Sequence, residues 1–139
     1  MMADCLFCKI IKKEIPSEVV YEDDFALAVL DVNPRTLGHT MVLSKTHSEN
    51  MIDLPVEQIG SLFEAVQKVA LLLNKTFSPD GFTIGLNQGR AAGQVIDHLH
   101  IHIIPRWLND GGSSLHSVVN NPPKENLAET AKKIREKNK

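Results

Sequence analysis

The longest periodic pattern of apolar positions lies between residues 53 and 74. Apolar side chains recur there every three or four positions, as on one face of a helix. Asp53 precedes Leu54 and Pro55, so we expect the aspartate to cap the helix and the proline to lie in its first turn. The pattern predicts one long amphipathic helix ending near Asn74. Its apolar stripe consists of Val56, Ile59, Leu62, Phe63, Val66, Val69, Ala70 and Leu73.

Five shorter segments have β-prone or alternating patterns and are predicted to be strands. Asp23 and Asp24 separate the first two segments as the turn of a hairpin. Two more strands follow the long helix and are joined by the glycine-bearing stretch QGRAAGQ. The predicted strands are residues 17–24, 25–32, 38–45, 82–87 and 95–105.

The order of these elements predicts the fold class. Three strands, a helix and two strands with short connections are typical of an α+β domain, here with a mainly antiparallel five-stranded sheet and one long helix. A short helix or turn is predicted over residues 5–13. After residue 108 the composition becomes rich in turn residues. We therefore expect a domain core over 1–108, then a flexible loop and a short surface helix within 109–139.

The overall composition excludes some functional classes. The 139 residues are 42% hydrophobic and 23% charged, with a formal net charge of −2. This charge creates no general field that attracts nucleic acid or an anionic membrane, so an anionic ligand must be bound locally. The sequence contains neither a signal-peptide pattern nor an apolar run long enough for a membrane span. These observations predict a cytoplasmic protein that binds neither nucleic acid nor membrane.

Three of the six histidines occupy alternate positions near the end of the last predicted strand. Residues two apart in a strand lie about 6.6 Å from each other and share a face. We therefore expect His98, His100 and His102 on one face, with Leu99 and Ile101 packed against the long helix from the other. This alternation predicts a functional site in a cleft.

The spacing of the three histidines and the loop before the strand indicate which kind of site this face can form. Three histidines along a straight strand span about 13 Å, so binding one tetrahedral zinc ion with all three would need a bend in the strand. Neutral imidazole attacks phosphorus well and is displaced readily by water. The loop before the strand has glycines that allow N–H groups to face an anion, and Asn87 and Gln94 can donate to phosphoryl oxygens. By itself this loop is also typical of an ordinary glycine-containing hairpin.

The chain has two cysteines, Cys5 and Cys8, in a Cys-x-x-Cys spacing. A secreted disulfide scaffold would use more cysteines at wider spacing. The residues alone are compatible with a metal clip, a redox pair or two independent thiols.

The segments HLHIHIIP, GHTMVLSKTH and DCLFCKI together resemble the histidine triad (HIT) family of nucleotide hydrolases and transferases. The resemblance extends from about Asp4 to Arg106 and is greater to the Hint-like and bacterial or archaeal branch than to the Fhit branch. It implies a HIT-like fold, a homodimer with joined sheets and reaction at the α-phosphate of a purine nucleotide. The expected substrates are nucleoside phosphoramidates or dinucleoside polyphosphates, with release of nucleoside monophosphate. A nucleotide-binding module with incidental hydrolysis is the alternative.

The resemblance also implies roles for individual residues. His100 corresponds to the nucleophile that carries a covalent nucleotidyl group. His102 would contact the phosphate and assist the leaving group, and His39 would support the phosphate site. Asn87 and Gln94 correspond to residues that contact phosphoryl oxygens.

Further positions correspond to substrate contacts. Asp31 matches a carboxylate that accepts hydrogen bonds from the ribose hydroxyls. Val95 stands where Hint-like phosphoramidases have a serine, so its N–H can bind phosphate but the hydroxyl is absent, which weakens the expectation of phosphoramidate preference. The residues expected to line the base pocket are Leu6, Phe7, Ile10, Val29, Leu30 and Val32.

In zinc-containing relatives a Cys-x-x-Cys pair joins two histidines. The corresponding residues here are Cys5, Cys8, His47 and His98, a Cys₂His₂ set suited to a closed structural zinc site. The metal would hold the N-terminus against the histidine strand. A zinc protein without a nucleotide would leave Asp31 without a purpose.

Overall fold

The computed structural model describes residues 4–139, which form one five-stranded antiparallel sheet and three α-helices. The elements are α1 (Leu6–Ile11), β1 (Val19–Glu22), β2 (Ala26–Leu30), β3 (Thr40–Ser44), α2 (Val56–Phe77), β4 (Gly81–Gly85), β5 (His100–Arg106) and α3 (Leu127–Lys137). The strand order is β1-β2-β3-β5-β4, and every neighbouring pair is antiparallel. The predicted α+β fold is confirmed. Among these residues no helix is both long and apolar enough to cross a membrane.

The register between β3 and β5 sets which side chains share a face at the centre of the sheet. Leu43 lies opposite His100 and Met41 lies opposite His102. Directly paired residues point to the same side of an antiparallel sheet. The two histidines therefore face one side, and Ile101 and Ile103 face the other.

Each face of the sheet has its own apolar cluster. The long helix α2 covers the isoleucine face, where Ile101 and Ile103 are fully buried against residues such as Leu62 and Val69. The short helix α1 covers part of the histidine face, with Phe7 as a member of the cluster there. Burying a large aliphatic side chain contributes about 1.5–3 kcal/mol, so both clusters stabilise the central strand β5.

Two boundaries of α2 differ from the sequence prediction. The helix begins at Val56 with Pro55 in the N-cap position, and no side chain caps it, so the prediction that Asp53 caps the helix was wrong. The chain continues in helical form to Phe77, three residues beyond the predicted end, and the left-handed Ser78 ends it.

The last strand begins at His100 and not at residue 95. The His98 N–H donates to the Ile96 carbonyl at 2.8 Å, which makes a tight turn, and the Leu99 N–H donates to the Ser48 carbonyl at 2.7 Å. Because these bonds replace regular ladder pairing, the first histidine of the alternating set lies just outside the strand.

The C-terminal part of the chain contains the predicted surface helix, α3. Leu127 is 83% exposed and Ile134 is 61% exposed, so the apolar stripe of α3 lies on the surface. The preceding segment includes a 3₁₀ turn at Leu115–Ser117. The domain boundary at residue 108 and the flexibility of 109–123 remain predictions.

Replacing Gly38 with alanine is expected to lower the free energy of unfolding by about 1–3 kcal/mol. Gly38 has φ +83°, and a Cβ there would lie 3.0 Å from the Phe77 ring. Gly60 provides a matched control, because a Cβ there would meet nothing within 4 Å and alanine favours the helix. Denaturant unfolding of both variants measures the difference, and equal effects would contradict the argument.

Candidate active site and metal centre

A cavity of about 570 Å³ opens on the histidine face, within the range typical of small-molecule sites. Residues from α1, the end of β2, the loop before β5 and β5 itself line it. The structure thus brings together side chains that lie far apart in sequence. The predicted site residues in its lining are Leu6, Phe7, Asp31, Val32, His39, Asn87, Val95, His100 and His102.

Other lining residues were not identified from the sequence. Met41 pairs with His102 across the sheet, and Ile104 follows His102 by two positions, so strand alternation could have identified both. Arg35 lies in a loop, where no periodicity marks it. The residues added by the structure are Asn33, Arg35, Met41, Gly93, Ile96 and Ile104.

The side chain of Gln94 does not line the cavity and is 7% exposed. Its amide oxygen accepts the Gly89 N–H at 2.8 Å, and its NH₂ group donates to the carbonyls of Glu49 at 2.6 Å and Ile96 at 3.0 Å. These bonds direct the amide into the protein and not toward the cavity, and the contact of Gln94 with a phosphoryl oxygen stays a prediction. Gln94 holds the loop that precedes β5.

Three residues predicted for the base pocket also lie elsewhere. Ile10 and Val29 are buried in the apolar cluster under α1. Leu30 follows Val29 in β2, so strand alternation directs it to the opposite face. Their place in the base pocket stays a prediction, since the sequence did not distinguish core positions from lining positions.

The backbone determines which nitrogen of His100 carries the proton. His100 Nδ1 lies 2.7 Å from the carbonyl oxygen of His98. A carbonyl oxygen can only accept a hydrogen bond, so Nδ1 is the protonated nitrogen and Nε2 of the neutral ring keeps its lone pair. The His100 ring also packs edge-on against Phe7, at 4.9 Å between centroids. This arrangement presents an oriented nitrogen lone pair at the cavity.

A second backbone contact orients the other two histidines of the cavity. The Arg35 N–H donates to His39 Nδ1 at 3.0 Å, so the proton of neutral His39 lies on Nε2. His39 Nε2 lies 2.9 Å from His102 Nδ1 and therefore donates to it. His102 consequently carries its own proton on Nε2. The cavity thus combines a lone pair from His100 with an N–H donor from His102.

Both members of this pair are neutral at physiological pH. Burial is the main cause that lowers the pKa of His102 to about 4, and the neighbouring His100 and His39 lower it further. Burial likewise lowers the pKa of His39, partly opposed by the Asp31 carboxylate, whose Oδ2 lies 3.4 Å from His39 Nε2. The N–H···N bond between the rings therefore persists in the working pH range.

The predicted metal ligands converge beside the cavity. The ligand atoms of Cys5, Cys8, His47 and His98 all lie within 4.8 Å of one another. His98 Nδ1 is 3.4 Å from Cys5 Sγ, 3.5 Å from Cys8 Sγ and 3.2 Å from His47 Nδ1. A tetrahedral zinc ion with bonds of about 2.1 and 2.3 Å requires ligand–ligand separations of roughly 3.4–3.8 Å, close to these values.

The hydrogen bonding of His98 also fits a metal ligand. His98 Nε2 lies 2.7 Å from the Ser44 carbonyl and so carries the proton, which leaves the Nδ1 lone pair directed at the cysteines. Burial lowers the pKa of His98 to about 4, so the ring is neutral as coordination requires. The donor set, two thiols and two imidazoles, suits a structural zinc ion.

A second group with short separations, Asp31, His39 and His102, fits a metal less well. The Arg35 N–H on His39 Nδ1 leaves a proton on Nε2, the nitrogen that would have to bind the ion. These residues are better described as a hydrogen-bonded pair beside a carboxylate. The alternating histidines are thus divided between two sites, His98 at the metal set and the others in the cavity.

The HIT domain model matches residues 12–108 of the chain. An uncharacterized HIT-like protein of Methanocaldococcus jannaschii is 48% identical over 107 residues, which cover 77% of this chain and 82% of that protein. Two relatives have names that state an activity. An adenylylsulfatase of Arabidopsis thaliana is 42% identical over 77% of this chain and 54% of that protein. An adenosine 5'-monophosphoramidase of Schizosaccharomyces pombe is 38% identical over 73% of this chain and 74% of that protein.

Solved structures share the architecture. A HIT-family protein from Bacillus subtilis superposes with a TM-score of 0.85 at 38% identity, covering 96% of both chains. A zinc-bound histidine triad protein from Mycobacterium smegmatis gives a TM-score of 0.73 at 32% identity, covering 88% of this chain and 84% of that one.

Proposed function

This chain belongs to the HIT family, and we propose that it hydrolyses purine nucleotides at the α-phosphate through a covalent intermediate on His100. One observation carries the proposal. In a cavity large enough for a nucleotide, His100 offers an Nε2 lone pair beside a neutral His102 that offers an N–H. The names of the adenylylsulfatase and phosphoramidase relatives support hydrolysis of this kind of substrate.

In the first step the His100 Nε2 lone pair attacks the α-phosphorus. A P–N bond forms and the bond from phosphorus to the leaving group breaks, with its electron pair going to the leaving group. The His100 ring becomes positively charged, and the His98 carbonyl that accepts its Nδ1–H stabilises this charge. The Nε2–H of His102 donates a hydrogen bond to a phosphoryl oxygen or to the leaving group, and the hydrogen bond from His39 supports it.

In the second step water attacks phosphorus and the P–N bond breaks. The electron pair returns to His100 Nε2, and nucleoside monophosphate is released. The proton of the attacking water enters solvent, and solvent supplies the proton that an amine leaving group needs. The Asn87 amide and the Val95 N–H, both at the cavity, are assigned to the phosphoryl oxygens, whose charge grows in both transition states.

The nucleoside is assigned to the part of the cavity nearer α1. The Asp31 carboxylate accepts the Asn33 N–H at 2.9 Å and has further lone pairs for a vicinal diol. Leu6, Phe7 and Val32 provide apolar surface for a purine ring.

We also propose that Cys5, Cys8, His47 and His98 hold a structural zinc ion. The ion would link α1 to the start of β5, and it supplies no step of the hydrolysis. Cys5 and Cys8 flank Leu6 and Phe7 in sequence, so the same turn of chain carries metal ligands and part of the cavity wall. The zinc-bound neighbour from Mycobacterium smegmatis supports this assignment.

Two further properties are proposed. A homodimer with joined sheets is supported by the position of β4 at the edge of the sheet, where its outer backbone groups are available for pairing. A cytoplasmic location is supported by Cys5 and Cys8, which form no disulfide and need a reducing compartment to remain thiol ligands.

A substrate panel tests the proposed function. Adenosine phosphoramidate, adenylyl sulfate and diadenosine polyphosphates are incubated with the zinc-loaded protein, and release of AMP is followed by chromatography. We expect AMP from at least one of them. Tight binding of AMP without turnover of any substrate would contradict the enzymatic proposal and favour a nucleotide-binding module.

A further inference from the structure

We propose that Arg35 binds the anionic leaving group of the substrate, and that the protein therefore prefers nucleotides that release sulfate or a phosphate chain over those that release an amine. The inference rests on the proposed function, because it assigns a substrate class to the same cavity. The observations that support it are the unpaired charge of Arg35, its position and the shape of the surrounding surface.

Among the residues that the structure describes, Arg35 is the one cationic side chain in the cavity lining. Within residues 4–139 its guanidinium makes no hydrogen bond or ion pair. Two other arginines of the domain are neutralised, since Arg90 lies 3.5 Å from Asp97 and Arg106 lies 2.7 Å from Asp110. An unpaired guanidinium at a cavity has its donors available for sulfate or phosphate oxygens, which match its planar geometry.

The backbone anchors Arg35 beside the reacting groups. Its N–H is bonded to His39 Nδ1 at 3.0 Å, and His39 in turn donates to His102. The Arg35 side chain therefore begins at a residue whose backbone is hydrogen-bonded to His39, the partner of His102, to which we assigned the contact with the leaving group. Its charge is also close enough to His39 to contribute to the lowering of the pKa of that ring.

A second chamber adjoins the cavity at Arg35. It has a volume of about 290 Å³ and shares Arg35 and Ile104 with the first cavity. Hydroxyl-bearing side chains line much of it, namely Thr36, Thr83, Ser113 and Ser114. Such a chamber provides space and hydrogen-bonding groups for the outer part of a longer anionic leaving group.

The surroundings favour an anion over an amine at this position. Val95, 74% exposed at the cavity, has no hydroxyl that could donate to or accept from a departing amine. A guanidinium provides no attraction for a neutral amine and repels an ammonium ion, whereas it stabilises the charge that grows on a sulfate or phosphate as the bond to phosphorus breaks.

The test compares Arg35→Gln with the wild type on two classes of substrate that share adenosine but differ in the leaving group. For adenylyl sulfate and diadenosine triphosphate, which release anions, kcat/KM is expected to fall about tenfold to hundredfold, as for loss of a hydrogen bond to a charged group. For adenosine phosphoramidate, kcat/KM is expected to change less than about threefold. Arg35→Lys should recover part of the loss on the anionic substrates.

Arg90→Gln is the matched control, because it removes an equal charge outside the cavity lining and should leave both classes of substrate unaffected. Equal losses on anionic and phosphoramidate substrates, or no loss on either, would overturn the assignment to Arg35. If the wild-type protein hydrolyses none of the substrates, the proposed function itself fails, and the two failures are thereby distinguished. Circular dichroism and unfolding of each variant confirm that the folds are comparable.

Discussion

Replacement of His100 with alanine is expected to reduce turnover by at least about 10⁴-fold and to abolish the covalent intermediate. In the proposed mechanism the P–N bond forms at the Nε2 atom, whose lone pair is fixed by the Nδ1–H bond to the His98 carbonyl. His102 cannot replace it, because its Nδ1 accepts from His39 and its Nε2 carries a proton. Rapid quench followed by intact-protein mass spectrometry should detect one added nucleoside monophosphate on the wild type only.

The quench must be denaturing and neutral or alkaline, because acid cleaves P–N bonds. His116→Ala is the control, since His116 is an exposed histidine outside the cavity lining, and it should keep both the adduct and the turnover. An adduct on the His100→Ala protein, or turnover close to that of the wild type, would refute the assignment of the nucleophile.

Loss of the metal ligands is expected to produce the largest change in stability. An ion present at a thousandfold excess over its Kd stabilises the folded state by about 4 kcal/mol, which corresponds to roughly 10–20 °C in Tm for a chain of this size. Cys8→Ser, at a position that is 1% exposed, should show this loss, and the wild type with a strong chelator should show a similar one. Plasma mass spectrometry is expected to find one zinc per wild-type chain and little in the variant.

The losses of stability caused by Cys8→Ser and by the chelator should not add, because both remove the same ion. Chelator applied to Cys8→Ser is therefore expected to lower its Tm no further, which separates metal loss from a defect in packing. Since Leu6 and Phe7 belong to the same turn, KM should rise in the metal-free protein. A wild-type protein that contains no zinc as purified and whose Tm is unaffected by chelator would contradict the metal assignment.

Much of the fold follows from periodicity. The pattern of three- and four-residue spacing identified α2, and the strand patterns identified all five strands of the sheet. The predicted ends of the helices and strands were less accurate where a specific hydrogen bond determines the boundary. The N–H of His98, for instance, bonds to Ile96, and this turn delays the start of β5 by five residues relative to the prediction.

The site was predictable where its residues lie on a regular element or match a family motif. His100 and His102 share a face because strands alternate, and Asp31 and His39 matched motif positions. Gln94 matched as well, yet its amide is bonded to three backbone groups, two of which lie in its own loop. The type of a residue does not reveal whether its polar atoms turn inward, so the sequence could not predict these internal hydrogen bonds.

The protonation pattern of the site lies beyond the sequence for the same reason. Each tautomer depends on one backbone group, such as the His98 carbonyl for His100 or the Arg35 N–H for His39. These groups belong to turns whose geometry no periodicity encodes. The sequence likewise could not predict that Arg35 forms no ion pair, because this depends on the positions of all neighbouring carboxylates.

The hydrogen bonds made by Gln94 affect both the rate and the affinity of ligand binding. They link Gly89, Glu49 and Ile96, so the segment that frames the proposed phosphate position is already immobilised when the chain has folded. The conformational entropy of that segment is lost during folding and does not oppose association. Nucleotide capture should therefore proceed in a single kinetic phase, without a slow rearrangement after the encounter.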